Sequence, residues 1–68
     1  MVIFYKRRGQ GYFVQEPKIS SQYLGVGKTK KEAIKDFNDS LRNIFSNPKD
    51  RSVYKLKSNV KGVVKRIV

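Results

Sequence analysis

The 68-residue sequence predicts an α+β domain. The expected architecture is a three- to four-stranded antiparallel sheet with one amphipathic helix, at about residues 30–46, packed on one face, in the order β-β-β-α-β. Three observations carry this expectation. Thr29 stands three residues ahead of Glu32 and opens an apolar stripe of Ile34, Phe37, Leu41, Ile44 and Phe45 at helical spacing. Two runs rich in β-branched and aromatic residues, 2–7 and 12–15, flank a glycine-bearing turn. A chain of this length has room for one small domain and one core.

Val2-Ile3-Phe4-Tyr5-Lys6-Arg7 reads as the first strand, and Arg8-Gly9-Gln10-Gly11 as a tight turn whose glycines accept positive φ. Tyr12-Phe13-Val14-Gln15 returns as the second strand, limited by Pro17, which lacks a ladder donor. Gln22-Tyr23-Leu24-Gly25-Val26 forms a third. The helix comes next, with Thr29 and Glu32 as a capping box, and Asn47-Pro48 stops it because the residue before proline is pushed out of the α region. Ser52-Val53-Tyr54-Lys55-Leu56-Lys57 reads as a fourth strand. In the last segment Val60, Val63, Val64 and Ile67 have helical spacing, while their β-branching favours a strand; residues 58–68 stay open between the two.

On this reading one face of the first hairpin carries Val2, Phe4, Lys6 and Phe13. The other carries Ile3, Tyr5, Arg7, Tyr12 and Val14. With one helix available, the second face receives the C-terminal segment, meets a partner, or lies exposed with aromatics between cations.

Composition narrows the function. Sixteen Lys or Arg against five Asp or Glu give a net charge of +11, and there is no His, Cys or Trp. Disulfides, Cys/His metal sites and Cys- or His-based catalysis are excluded, and the five acids form no convincing catalytic pair, so neither an enzyme nor a cofactor is expected. Eight aromatics and 38% hydrophobic residues separate the chain from a disordered polybasic tail. No apolar run approaches the roughly 20 residues of a membrane span, and the opening residues lack a signal-peptide plan. A cytoplasmic protein with no membrane partner is expected. Residues 1–31 carry seven basic and one acidic side chain (+6), residues 32–50 three and four (−1), and residues 51–68 six and none (+6).

Three clusters invite an anion. Tyr5, Lys6, Arg7, Arg8, Tyr12 and Phe13 combine cations with rings that can stack bases, although the same aromatics would serve as core. Lys28, Lys30 and Lys31 crowd the positive end of the helix, where a phosphate is favoured; the bland alternative is a plain capped helix start. Gly27-Lys28-Thr29 is not a nucleotide-binding phosphate loop, since the required earlier glycine is Gln22. The third cluster is Arg51, Lys55, Lys57, Lys61, Lys65 and Arg66, a run without one acid that would otherwise be a solvated face.

Gly11-Tyr12-Phe13-Val14-Gln15-Glu16-Pro17-Lys18-Ile19 resembles the strand ending in Pro-x-Leu of HicB-like antitoxins. Gly27-Lys28-Thr29-Lys30-Lys31-Glu32-Ala33-Ile34 resembles that family's Gly-Asp-Thr-x-x-Glu-Ala turn into the helix, with Lys28 in place of the usual Asp. The resemblance covers residues 11–45 and implies a β-β-β-α-β core and binding to a small RNA-cleaving toxin. The same turn is similar to arm-type DNA-binding domains of phage integrases, and to the last strand and helix of double-stranded-RNA-binding domains. Together these readings lead to the expectation of a non-enzymatic nucleic-acid-binding module, for DNA or RNA, in keeping with a phage or other mobile element. Lys6, Arg7, Arg8, Tyr5, Tyr12, Lys28, Lys30, Lys31, Lys55 and Lys57 are its contact residues. The alternative is a HicB-like inhibitor with a protein partner, and a third is a homodimer through a sheet edge.

Overall fold

A computed structural model describes residues 2–67, with the side chain of Ile67 outside the described part. Strand β1 (Ile3–Arg7) turns through residues 8–10 into β2 (Gly11–Gln15), and the two pair antiparallel with Phe4 opposite Val14 and Tyr5 opposite Phe13. Gly9 and Gly11 hold φ of 80° and 95°, the left-handed region that other residues avoid. Strand β3 (Gly25–Gly27) is shorter than the sequence implies and pairs antiparallel with β2.

Helix α1 (Lys30–Ile44) begins where the capping signal places it and ends two residues earlier than expected, with Phe45 as its C-cap. Thr29 Oγ1 accepts the Glu32 N–H at 3.1 Å, while Glu32 Oε2 reaches back to the N–H of Lys28 at 3.2 Å, one residue before the cap. Ala33, Ile34, Phe37 and Leu41 are buried, whereas Ile44 is exposed. They meet Val2, Phe4 and Val14 in a single core, with Phe4, Val14 and Phe37 wholly inaccessible. Helix and sheet approach closely because β3 is Gly-Val-Gly. A Cβ on Gly25 would lie 2.6 Å from the Ala33 carbonyl oxygen, and one on Gly27 would lie 2.5 Å from the Ala33 nitrogen.

The expected fourth strand at 52–57 is replaced by a second helix, α2 (Pro48–Tyr54). Asn47 is an N-cap whose Oδ1 accepts the Lys49 N–H at 2.9 Å, and Pro48 opens the first turn, where its missing N–H costs nothing. Pro48 therefore starts a helix as well as ending the region after α1. Val53 is 74% exposed, so its strand preference has no packed surface to act through. Phe45 stacks on Tyr54 with ring centroids 5.4 Å apart, which joins the ends of the two helices.

Residues 55–62 then cross back to β4 (Val63–Ile67), resolving the ambiguous C-terminal segment as a strand; Val68 lies outside the described residues. Asn38 of α1 clasps this crossing. Its Nδ2 donates to the Leu56 carbonyl and its Oδ1 accepts the Leu56 N–H, both at 2.9 Å. Strand β4 pairs parallel with β1, because a chain returning through helices arrives in the same direction. The fold is thus α+β as expected, but the sheet is mixed and not antiparallel. Its order is β3-β2-β1-β4, and the element order is β-β-β-α-α-β.

Gly25→Ala is expected to destabilise the domain by about 1–3 kcal/mol through overpacking, more than the roughly 0.4–1 kcal/mol gained from a stiffer unfolded chain. Urea unfolding measures this against Val26→Ala on the same strand, which costs less. Asn38→Ala leaves two backbone groups of Leu56 without partners and is expected to lower stability by about 1–3 kcal/mol in the same measurement.

Candidate nucleic-acid interface

The turn length decides which side chains share a face. Three loop residues set Arg7 opposite Gly11, so residue numbers across the hairpin pair even with even and odd with odd. The face expectation made from sequence corresponds to an even-numbered loop, and one residue of difference moves every β2 side chain to the other side. Val14 and Tyr12 therefore lie with Phe4 and Lys6 on the helix side. Phe13 lies with Tyr5, Ile3 and Arg7 on the other side, so Tyr5 and Tyr12 stand on opposite faces and not on one as the sequence implied.

The β2–β3 register sets Tyr12 opposite Gly27 and so brings the hairpin tip beside the start of α1. A Cβ on Gly11 would lie 2.8 Å from the Lys28 Cα. Between them opens a cleft of about 470 Å³ whose lining includes Lys6, Arg7, Arg8, Tyr12 and Lys28. Four cations line it, and no carboxylate does among the described residues. Lys6 Nζ sits 5.5 Å from the centre of the Tyr12 ring, a cation–π contact that holds the ammonium at the cleft. All four cations are exposed to solvent, and their mutual repulsion favours an anion among them.

The remaining expected contact residues are dispersed. Lys30 is half-buried with its Nζ 4.8 Å from the centre of the Phe4 ring, so its stem covers the core. Lys31 lines a groove between α1 and residues 56–58 together with Lys35, Glu32 and Asp39, a surface of mixed charge. Lys55 caps the C-terminal end of α2 and Lys57 lies in the crossing segment. Neither is on a strand, and neither lines the hairpin cleft.

The face of the sheet opposite α1 is the part that sequence reasoning leaves undecided. Tyr5 and Phe13 lie across the strands there, and Tyr23, from the loop before β3, packs on both. Ring centroids are 5.3 Å from Tyr23 to Tyr5 and 5.1 Å from Tyr23 to Phe13. Gln15 fixes the loop. Its Oε1 accepts the Tyr5 hydroxyl at 3.0 Å, and its Nε2 donates to the Ser21 carbonyl at 2.6 Å. By register Val63 and Lys65 of β4 extend this face beside Ile3 and Tyr5. The sequence pattern places Tyr23 on a strand, and the structure moves it to a loop. The signal that sets it apart is the Ser20-Ser21 pair before it, which loosens the chain so that it can fold over the sheet.

No groups of acidic, His or Cys side chains suited to a metal ion occur among the described residues, and no described helix is long and apolar enough to cross a membrane. Comparison with protein-family models, with curated proteins and with solved structures gives no match for this chain.

Proposed function

We propose that the chain is a non-enzymatic nucleic-acid-binding domain that holds a phosphate backbone at the hairpin tip. The observation that supports this reading best is the cleft at which Lys6, Arg7, Arg8 and Lys28 converge with no carboxylate among the described lining residues. Lys and Arg there neutralise phosphates and release condensed counterions, which supplies affinity without regard to sequence. The basic residues of β4 continue the positive surface past β1, because β4 pairs beside it. A second reading, a HicB-like inhibitor of a small toxin protein, draws support from the outer edge of β4. That edge faces no further strand among the described residues, and Val63 and Val64 are half-exposed on it, so a partner could add a strand.

The test is a titration of duplex DNA, duplex RNA and single strands across a salt series. The native chain is expected to bind with strong salt dependence. A variant with Lys6, Arg7 and Arg8 all changed to Gln should bind more weakly, and its log–log salt slope should fall by about 0.9 for each duplex phosphate it no longer neutralises. Absence of binding at low salt, or an unchanged slope in the variant, overturns the proposal. A stable one-to-one complex with a toxin-like protein, with no nucleic-acid binding, establishes the second reading instead.

A further inference from the structure

The sheet face opposite α1 carries three clustered aromatic rings, and neither helix packs on it among the described residues: α1 covers the Phe4–Val14 side and α2 packs on α1. We propose that this face is a stacking platform for unpaired bases, so that the preferred ligand is single-stranded nucleic acid with little sequence preference. The inference rests on the nucleic-acid reading of the hairpin cleft and specifies what lies beyond it.

Tyr23 is the outermost ring. It is 49% exposed although it contacts both Tyr5 and Phe13, and the Tyr5–Gln15–Ser21 hydrogen bonds hold its loop in place before any ligand arrives. A preorganised ring loses little freedom when a base stacks on it. Beside it is a depression of about 260 Å³ whose lining includes Phe13, Tyr23 and Val26, large enough for a flat heterocycle. Asp36 at its margin already accepts the Val26 N–H at 2.9 Å. Val26, 50% exposed, lines this depression, and Val63, 45% exposed at the opposite edge of the sheet, adds a further apolar side chain to the face.

Charge complementarity selects the occupant. Arg7 lines the cleft and, by register, belongs to the open face, and Lys65 stands next to Tyr5 in the parallel pair. A backbone held at the hairpin tip is therefore led by cations onto the rings. A duplex cannot use such a surface, since its base faces are stacked on one another and only edges and phosphates are presented. A single strand can, because every base has a π-face. Stacking is tolerant of base identity, and the Gln15 amide already has a partner at each end within the protein.

The experiment compares fluorescence anisotropy of labelled oligothymidine and oligouridine of about twelve nucleotides with a mixed-sequence duplex of equal length, using the full chain, Tyr23→Ala and Tyr23→Phe. Tyr23→Ala is expected to weaken single-strand binding by roughly five- to a hundredfold with an unchanged salt slope, to leave duplex binding within about twofold, and to be rescued by Tyr23→Phe. The oligothymidine and oligouridine arms separate DNA from RNA as the source of the bases. With four Tyr and no Trp, the native chain's own emission reports stacking, and single strands but not duplex should quench it. Binding of duplex and single strand that is equal and indifferent to Tyr23→Ala, or no quenching by single strands, overturns this inference and leaves the phosphate cleft standing. Failure of the native chain to bind any of the three ligands overturns both.

Discussion

The contact on which the rest of the molecule depends is the backbone-to-backbone approach of β3 and α1. With no Cβ at Gly25 or Gly27, the helix lies against the strand itself, and Ala33 faces it with the smallest side chain that still favours a helix. That closeness lets Phe37 and Leu41 reach Val14 and Phe4 across a domain too small to fill a wider gap. It also leaves β3 only three residues long and commits its outer edge, since Asp36 of α1 takes the Val26 N–H. Both candidate surfaces depend on this placement. The helix start sits beside the hairpin tip, and the opposite face of the sheet is left without a helix among the described residues.

The elements legible in the sequence are those written in local signals. The capping box at Thr29 and Glu32 fixes the start of α1 through hydrogen bonds within four residues, and the glycines of the first turn admit one tight hairpin. Pro48 is harder because it carries two meanings, a stop for the helix before it and a start for the helix after it. Asn47 selects the second by capping. The direction of β4 is not local information at all. It depends on where a crossing segment is delivered, which involves contacts distant in sequence such as Asn38 with Leu56, eighteen residues away, and Leu56 and Val60 against the core. The hairpin cations are legible as one cluster because they are neighbours in the chain, but that Lys28 joins them is not, since it follows from the strand order that sets Tyr12 opposite Gly27. Lys30 is not excludable from sequence, since only the packed core shows its stem lying over Phe4.

The three-residue hairpin loop does more than reverse the chain. Its odd count puts Tyr12 under Lys6 at the cleft and Phe13 beside Tyr5 on the open face. An even count would exchange those two rings and bring Val14 out of the core, removing one of four large side chains that are fully buried. Core formation therefore selects the register, and the register distributes one aromatic to the basic cleft and one to the open face. Both candidate surfaces are by-products of a choice that burial makes.

The same cations that recommend a ligand shape how the free protein behaves. At a net charge of +11 the folded chain repels itself, and any anion that binds only the folded form stabilises it by mass action. The charge also guards the open edge of β4. Two β4 strands pairing antiparallel about Lys65 would set that lysine against its own copy, a like-charge opposition that disfavours the edge-to-edge dimer the exposed valines would otherwise invite. A polyanion reverses the sign of that argument by supplying the counter-charge. Self-association through β4 is therefore expected to depend on bound nucleic acid and to vanish when salt displaces it, which light scattering at matched protein concentration with and without an oligonucleotide measures directly. Concentration-dependent dimers of the free chain at low salt would show that the valines outweigh the charges.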